Sequence, residues 1–291
     1  MITPQEKYSK LAEKIDIKQD IYLKREDLHP YGSHKGRSIP LMIDMYIANG
    51  DRDFVISSSG NAALSAVIHI DKLNKEHSEK ITLTVFVGQN VNKEKLAKLQ
   101  KYTSENIQIF QKERPLQALT QAVQEGKRSL RQSTDNIALL GYESLAKELS
   151  TIKNLCAVFI GTSSGTTAEA LCKYFIENNL PTQVHIVQTS SCHPIFDAFE
   201  NYDGPDEVSL ADAIVDQTAM RKNRLVELIN KTGGYAWCAN NNDITNAQKI
   251  TLDATDIKIS TNSALSIAGL MLANYRGWDF AGPIACIICG D

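Results

Sequence analysis

No stretch of the sequence stays apolar for the ~20 residues that a membrane-crossing helix needs, so a helical membrane protein is not expected. Basic residues nowhere cluster among aromatic ones, and the net charge is −3, which sets nucleic acid aside as a partner. The opening MITPQEKYSKLAEKIDIK lacks the apolar core of a secretory signal. The six cysteines lack the spacing of a disulfide framework, and both absences suit a cytoplasmic protein. His29, His69, His77, His185 and His193 show no metal-ligand spacing. Cys286 and Cys289 do form C-x-x-C, but in an apolar run that reads as a buried strand. Positions three apart on a strand face opposite sides of the sheet, so neither a chelate nor a redox pair is expected there. Repeats and low-complexity linkers are also missing.

What remains is an ordinary globular composition, 43% hydrophobic and 22% charged, with length enough for one large or two medium domains. Strand-like runs at 21–23, 54–56, 81–87 and 107–110 alternate with helical patterns at 38–48, 61–73, 92–102 and 115–125. The alternation resumes with helices near 136–149, 168–178, 221–230, 243–251 and 262–274, and with strands at 155–160, 184–187 and 284–288. A short polar helix is expected over 3–14, and 191–210 reads as loop-rich. Such alternation argues for parallel sheets with helices on their faces. Two α/β lobes are expected, a small mobile one over 40–134 and a large one built from 1–39 and 135–291.

Residues 21–37 read IYLKREDLHPYGSHKGR, a β-prone start running through charged residues into a turn and then a helix. A polar turn at a helix start presents N–H groups and hydroxyls to anions. Lys35 in that turn is a candidate nucleophile toward a carbonyl carbon, and a Schiff base with pyridoxal phosphate is the natural use of it. Two further turns have the same strand-to-helix setting. Ser57-Ser58-Ser59-Gly60-Asn61 reads either as a serine N-cap or as a pocket for a substrate carboxylate. Gly161-Thr162-Ser163-Ser164-Gly165-Thr166-Thr167 follows a buried apolar run, and its glycines let the backbone approach an anion. G-x-G-x-x-G is absent and no ribose-binding acid follows the next strand, so a monophosphate suits this turn better than a dinucleotide.

Lys-Arg-Glu-Asp-Leu followed by Pro-x-Gly-Ser-x-Lys-x-Arg resembles the cofactor-lysine segment of fold-type II pyridoxal-phosphate enzymes. That group includes threonine synthase, serine/threonine dehydratase, cysteine synthase and the tryptophan synthase β chain. The resemblance implies a two-lobed, tryptophan synthase β-like fold, each lobe a mainly parallel sheet flanked by helices, with the larger lobe binding the cofactor. It implies Lys35 as the Schiff-base lysine and base at Cα, and His34 as a donor to the cofactor phosphate. Asn61 would lie beside the pyridine ring, and Ser58, Ser59, Gly60 and Asn61 would take the substrate carboxylate. Gly161, Thr162, Ser163, Ser164, Gly165 and Thr166 would hold the phosphate. Cys289 stands where relatives place a Ser, Thr or Cys against the pyridine nitrogen; a plain buried cysteine is the alternative reading.

Three features depart from the family. Ala62 replaces the Thr that cysteine synthase usually has after its Ser-Gly-Asn loop. Ser260 opens Ser260-Thr-Asn-Ser-Ala-Leu-Ser-Ile-Ala-Gly269, where the family commonly has Glu, and the chain stops soon after Cys289. The expected function is elimination or replacement at Cβ or Cγ of a small amino acid, threonine synthase-like, with serine/threonine dehydratase and cysteine synthase as alternatives. A degenerate relative that binds cofactor or amino acid without catalysis is the non-enzyme alternative. Relatives are commonly dimers, so a homodimer is expected, with no metal.

Overall fold

The computed structural model describes residues 2–290. In chain order its elements begin with β1 (Gln5–Lys7), α1 (Ser9–Ile15), β2 (Ile21–Arg25), α2 (Lys35–Ala48), β3 (Asp53–Ser57) and α3 (Asn61–Glu76). There follow β4 (Thr82–Gly88), α4 (Lys93–Gln100), β5 (Ile107–Lys112), α5 (Pro115–Gln124), β6 (Arg128–Ser129), α6 (Ile137–Leu149) and β7 (Ala157–Gly161). The chain continues through α7 (Thr166–Glu177), β8 (Gln183–Thr189), α8 (Lys222–Thr232), β9 (Ala236–Ala239), α9 (Asn241–Thr255), α10 (Thr261–Tyr275) and β10 (Ile284–Ile288). No helix among the described residues is long and apolar enough to cross a membrane.

Contacts divide the chain into two units, Pro30–Gly141 and the remainder on either side of it. The larger unit holds a six-stranded sheet in the order β1-β2-β10-β7-β8-β9, parallel throughout except for β1 on β2. Its inner strands β7 and β10 are apolar along their whole length because both faces are covered. Phe159, Trp237, Ile284 and Cys286 face α1, α9 and α10, while Val158, Ile160, Ile186 and Ile287 face α6, α7 and α8. The smaller unit holds a four-stranded, all-parallel sheet in the order β5-β4-β3-β6. Phe54 and Ile56 of β3 pack with α2 and α3 on one face, and Val55 between them packs with α5 on the other. The fold is therefore α/β with two mainly parallel sheets flanked by helices.

Three local expectations change. The helix expected over 3–14 is instead a strand and then a helix, because 5–7 pairs with the open edge of β2, Gln5 opposite Lys24. Buried Lys24 holds that segment through its Nζ, which donates to the Thr3 carbonyl at 2.8 Å and pairs with Glu148. The second helix starts at Lys35 rather than at 38, since the Ser33 hydroxyl and carbonyl receive the N–H groups of Lys35 (3.3 Å) and Gly36 (3.0 Å). The short strands β6 and β9 go unseen in the local pattern, and they exist by pairing with β3 and β8.

The unit boundaries fall at 29/30 and 141/142, where the sequence suggests 39/40 and 134/135. Helix α2 belongs wholly to the smaller unit because Ile39, Met42 and Ile43 are fully buried against Ala66, Val67 and Ile70 of α3. Residues 135–141 follow it. Tyr46 donates to Asp135, and Ser38 Oγ donates to the Ala138 carbonyl at 2.7 Å. A Cβ on Gly141 would lie 2.4 Å from the Ser38 Cα, so only glycine permits this approach.

In the larger unit fully buried His185 is stacked on Phe159, with ring centroids 4.5 Å apart. Trp237 Nε1 can only donate, so it gives its proton to His185 Nδ1 at 3.2 Å. Nε2 then carries the ring proton and donates to Gln183 Oε1 at 3.0 Å, an oxygen that Trp278 Nε1 also reaches at 3.1 Å. Burial pushes the imidazole down to about 3, so the native ring stays neutral where the unfolded one protonates, below 6.5. The unfolded state binds the extra proton between those values, and stability falls as pH drops through that window by at most about 1.4 kcal/mol per pH unit. Urea unfolding at pH 7.5, 6.5 and 5.5 should therefore show a loss in the parent that is smaller in His185→Phe, although this variant is less stable at pH 7.5. Parallel pH dependence in the two proteins would remove this assignment.

Candidate active site

In parallel α/β sheets ligands bind beyond the carboxyl ends of the strands. In the larger unit β7 ends at Gly161, and α7 begins at Thr166 after a turn in which Gly165 has φ +87°. A Cβ on Gly165 would meet Leu225 Cδ2 at 2.7 Å, and one on Gly161 would lie 3.1 Å from the Asn262 carbonyl oxygen. The first bond of α7 runs from the Glu169 N–H to the Gly165 carbonyl, so the N–H groups before it face out of the helix start. Ser163 Oγ accepts from the N–H groups of Val215 (3.1 Å) and Asp216 (3.2 Å). A hydroxyl has two lone pairs and one proton. With both lone pairs engaged, Ser163 is left to donate, as an anion site requires. Behind the turn the buried pair Arg221–Glu169, at 2.8 Å, ties the start of α8 to the first turn of α7.

Strand β10 lies beside β7 with Cys286 opposite Phe159, so Cys289 and the 161–166 turn leave the sheet from adjacent strand ends. Gly290, at φ +96°, is gripped by the first turn of α10. The hydroxyls of Ser260 and Ser263 lie 2.9 and 3.2 Å from its carbonyl oxygen, and its N–H donates to Ser263 Oγ at 3.2 Å. Ser260 is also the N-cap of α10, accepting from the Ser263 N–H at 3.1 Å. A short hydroxyl at position 260 therefore does two local tasks. Cys289 is buried, and its thiol donates to the Ile287 carbonyl at 3.8 Å. Cys286 points into the sheet face that α10 covers and donates to the Ser266 carbonyl at 3.8 Å.

In the smaller unit Lys35 is the first residue of α2 and Asn61 the first of α3, and the two helices pack on each other. Lys35 is half-buried, while Ser33 and His34 before it are buried. Gly32, at φ +76°, makes the turn that brings them there. Ser58, Ser59, Gly60 and Asn61 are all half-buried at the end of β3. The Ser58 N–H donates to the Phe86 carbonyl at 3.2 Å, and the Gly60 N–H to Ser58 Oγ at 3.3 Å.

The candidate residues thus fall into two groups. Gly161 to Thr166 and Cys289 stand together in the larger unit, and His34, Lys35 and Ser58 to Asn61 in the smaller. Sequence reasoning missed the supports of the first group. Asn262 accepts from the Ala213 N–H at 3.0 Å and donates to Asp212 at 3.2 Å, so segment 210–217 is bound to both α10 and Ser163. No local signal marks these ties, because each joins residues some fifty positions apart. Among the described residues no three His, Cys, Asp or Glu side chains gather as a metal site.

Parallel sheets whose strands end in hydroxyl- and glycine-bearing turns at helix starts define an α/β protein of the class that holds phosphorylated small molecules. The family described as pyridoxal-phosphate dependent enzyme matches residues 2–290, and the chain belongs to it. Its cofactor is accordingly pyridoxal phosphate, and the donor set at 161–166 suits that group's phosphate. Threonine synthase of Methanocaldococcus jannaschii is 25% identical over 307 residues, covering 99% of this chain and 74% of its own. A pyridoxal 5'-phosphate-dependent aspartate racemase has the same fold, with a TM-score of 0.82 at 18% identity over all of this chain and 90% of the other. So does a processed threonine deaminase of Solanum lycopersicum, with a TM-score of 0.79 at 19% identity over 99% of this chain and 83% of the other.

Gly165→Ala tests the turn without cofactor. The left-handed backbone alone should cost about 1–2 kcal/mol in urea unfolding of the apoprotein. Displacement of Leu225 adds to that. An alanine variant as stable as the parent would show that the turn relaxes to another conformation.

Proposed function

We propose that the protein catalyses elimination or replacement at Cβ or Cγ of a small amino acid, in the manner of threonine synthase. The observation that carries this reading is a lysine at the start of one helix together with a hydroxyl-lined anion turn, in which Ser163 is left as a donor, at the start of another. The threonine synthase relative, similar along nearly the whole chain, supports the reaction class.

In this reading Gly161, Thr162, Ser163, Ser164, Gly165 and Thr166 bind the cofactor phosphate with backbone N–H groups and hydroxyls, and His34 adds a donor. Asn61 would hold the cofactor ring through its side-chain amide. Ser58, Ser59, Gly60 and Asn61 bind the substrate carboxylate, so that the amino acid is held by the end that does not react. Lys35 would hold the cofactor through its amine, and the same amine would serve as the base for the proton at substrate Cα. Its place on the first turn of a packed helix keeps the amine near that proton, and proximity of this kind lowers the barrier. When bound, pyridoxal phosphate supplies an electron sink conjugated with Cα. Cys289 would face the pyridine nitrogen with a thiol, which offers no fixed negative charge to a protonated ring. That tempers the sink and favours loss of a leaving group over transamination.

A serine/threonine ammonia-lyase is the second reading, favoured by the cysteine at 289. The two differ in product. Phosphate release from O-phosphohomoserine is expected for the first, and ketoacid release from threonine or serine would replace it with the second. Before either assay, the purified protein with pyridoxal phosphate should show the visible band of a lysine-bound cofactor. Borohydride should fix the cofactor to the peptide containing Lys35. Lys35→Ala should lose the band and lower turnover by roughly 10³-fold or more. A parent protein that never acquires the band, or fixation on another lysine, would overturn the assignment.

A further inference from the structure

One side-chain array in the smaller unit lies outside every role assigned above. Tyr31 OH is 2.9 Å from His69 Nδ1, and His69 Nε2 is 2.7 Å from Asp44 Oδ1. The imidazole is buried, while the Asp44 carboxylate reaches solvent. The direction of the protons follows from chemistry. An ionised carboxylate only accepts, so the proton of a neutral His69 ring is on Nε2. Nδ1 is then an acceptor, and Tyr31 must donate to it. Burial first, and then the negative charges of Asp44 and Glu76, raise the Tyr31 phenol above its ordinary value and keep the proton it donates.

The three residues are placed with respect to the turn and to two helix starts. Tyr31 precedes Lys35 by four residues, in the turn that delivers it to α2. Asp44 is on α2, the helix that Lys35 begins, and His69 is on α3, the helix that Asn61 begins. Gly32 beside Tyr31 also rests on α3, its Cβ position 4.0 Å from Leu64 Cδ2. Apolar packing between α2 and α3 holds them together but resists sliding and rotation poorly, because it has no direction. Two hydrogen bonds through one rigid ring supply that direction.

We propose that Tyr31, His69 and Asp44 form a one-way hydrogen-bonded strut that positions Lys35, by locking the turn ahead of it to both helices; this rests on the assignment of Lys35 given above. The three are positioning residues, and their effect passes through the Lys35 amine. A misplacement of about 1 Å can cost a reacting group on the order of 10²-fold.

Amide substitutions separate this role from general support. Glutamine at 69 can replace the Nε2 donor to Asp44 but not the Nδ1 acceptor, and asparagine does the reverse. Tyr31→Phe and His69→Gln should each slow the growth of the visible band, after pyridoxal phosphate is added to apoprotein, by roughly 10- to 100-fold. His69→Asn should recover much of that rate, and the thermal midpoint of Tyr31→Phe should stay within about 4 °C of the parent. Amide hydrogen exchange at 33–38 in the apoprotein should quicken in Tyr31→Phe and His69→Gln. Parent-like band growth in Tyr31→Phe, or equal losses in His69→Asn and His69→Gln, would overturn the strut. If the parent itself shows no band that depends on Lys35, the assignment of Lys35 fails. The exchange measurement then decides the strut alone, and unchanged exchange in Tyr31→Phe rejects it.

Discussion

The first N–H groups of a helix have no acceptor within it, and this chain meets that deficit three times with the residues proposed for its chemistry. Lys35 and Asn61 each open a helix, and Thr166 opens a third after the Gly161–Gly165 turn. None of the three starts carries a side-chain cap, although serines and threonines crowd all of them. In α9, by contrast, Asn240 and Asp243 form a full capping box, and there the helix start is simply closed. The starts of α1, α5 and α8 likewise lack a side-chain cap, so an open start is necessary for a binding turn but does not mark one by itself. The open starts have to be supported from outside the helix, by Ser33 beneath Lys35, by Phe86 behind Ser58, and by segment 210–217 on Ser163.

Buried charge serves the same end. Lys24 with Glu148 and Arg221 with Glu169 are ion pairs taken largely out of water, where the cost of desolvation offsets much of the attraction. Their use is geometric. The first ties the amino-terminal segment to β2, the strand that leads into the lysine turn. The second joins α7 to α8 under the 161–166 turn, where Leu225 lies so close to Gly165 that a side chain there would collide. The same need for close approach explains Gly141 against Ser38 and Gly161 against α10.

Family membership and cofactor follow from similarity along nearly the whole chain, while the particular reaction depends on a few side chains around the substrate. The same fold is shared by an aspartate racemase and a threonine deaminase. Position 260 is part of the scaffold. Its serine caps α10 and grips Gly290.

The sequence by itself determined the parallel α/β class, through unbroken apolar runs alternating with amphipathic ones. It also marked the turns around Lys35, Asn61 and Gly161, where glycine and hydroxyl residues gather at strand-to-helix junctions. Local patterning did not reveal β1, β6 and β9, which exist by pairing with other strands. It likewise misplaced the start of α2 and the edges of the two units, which depend on Ser33, Ser38, Asp135 and Gly141 meeting partners elsewhere. Tertiary structure alone decided that Ser163 is a donor, that Gly290 is held by two serines, and that Tyr31, His69 and Asp44 form one array. Each of these depends on which lone pairs and protons are already taken, and that is settled only when segments far apart in the chain come into hydrogen-bonding distance.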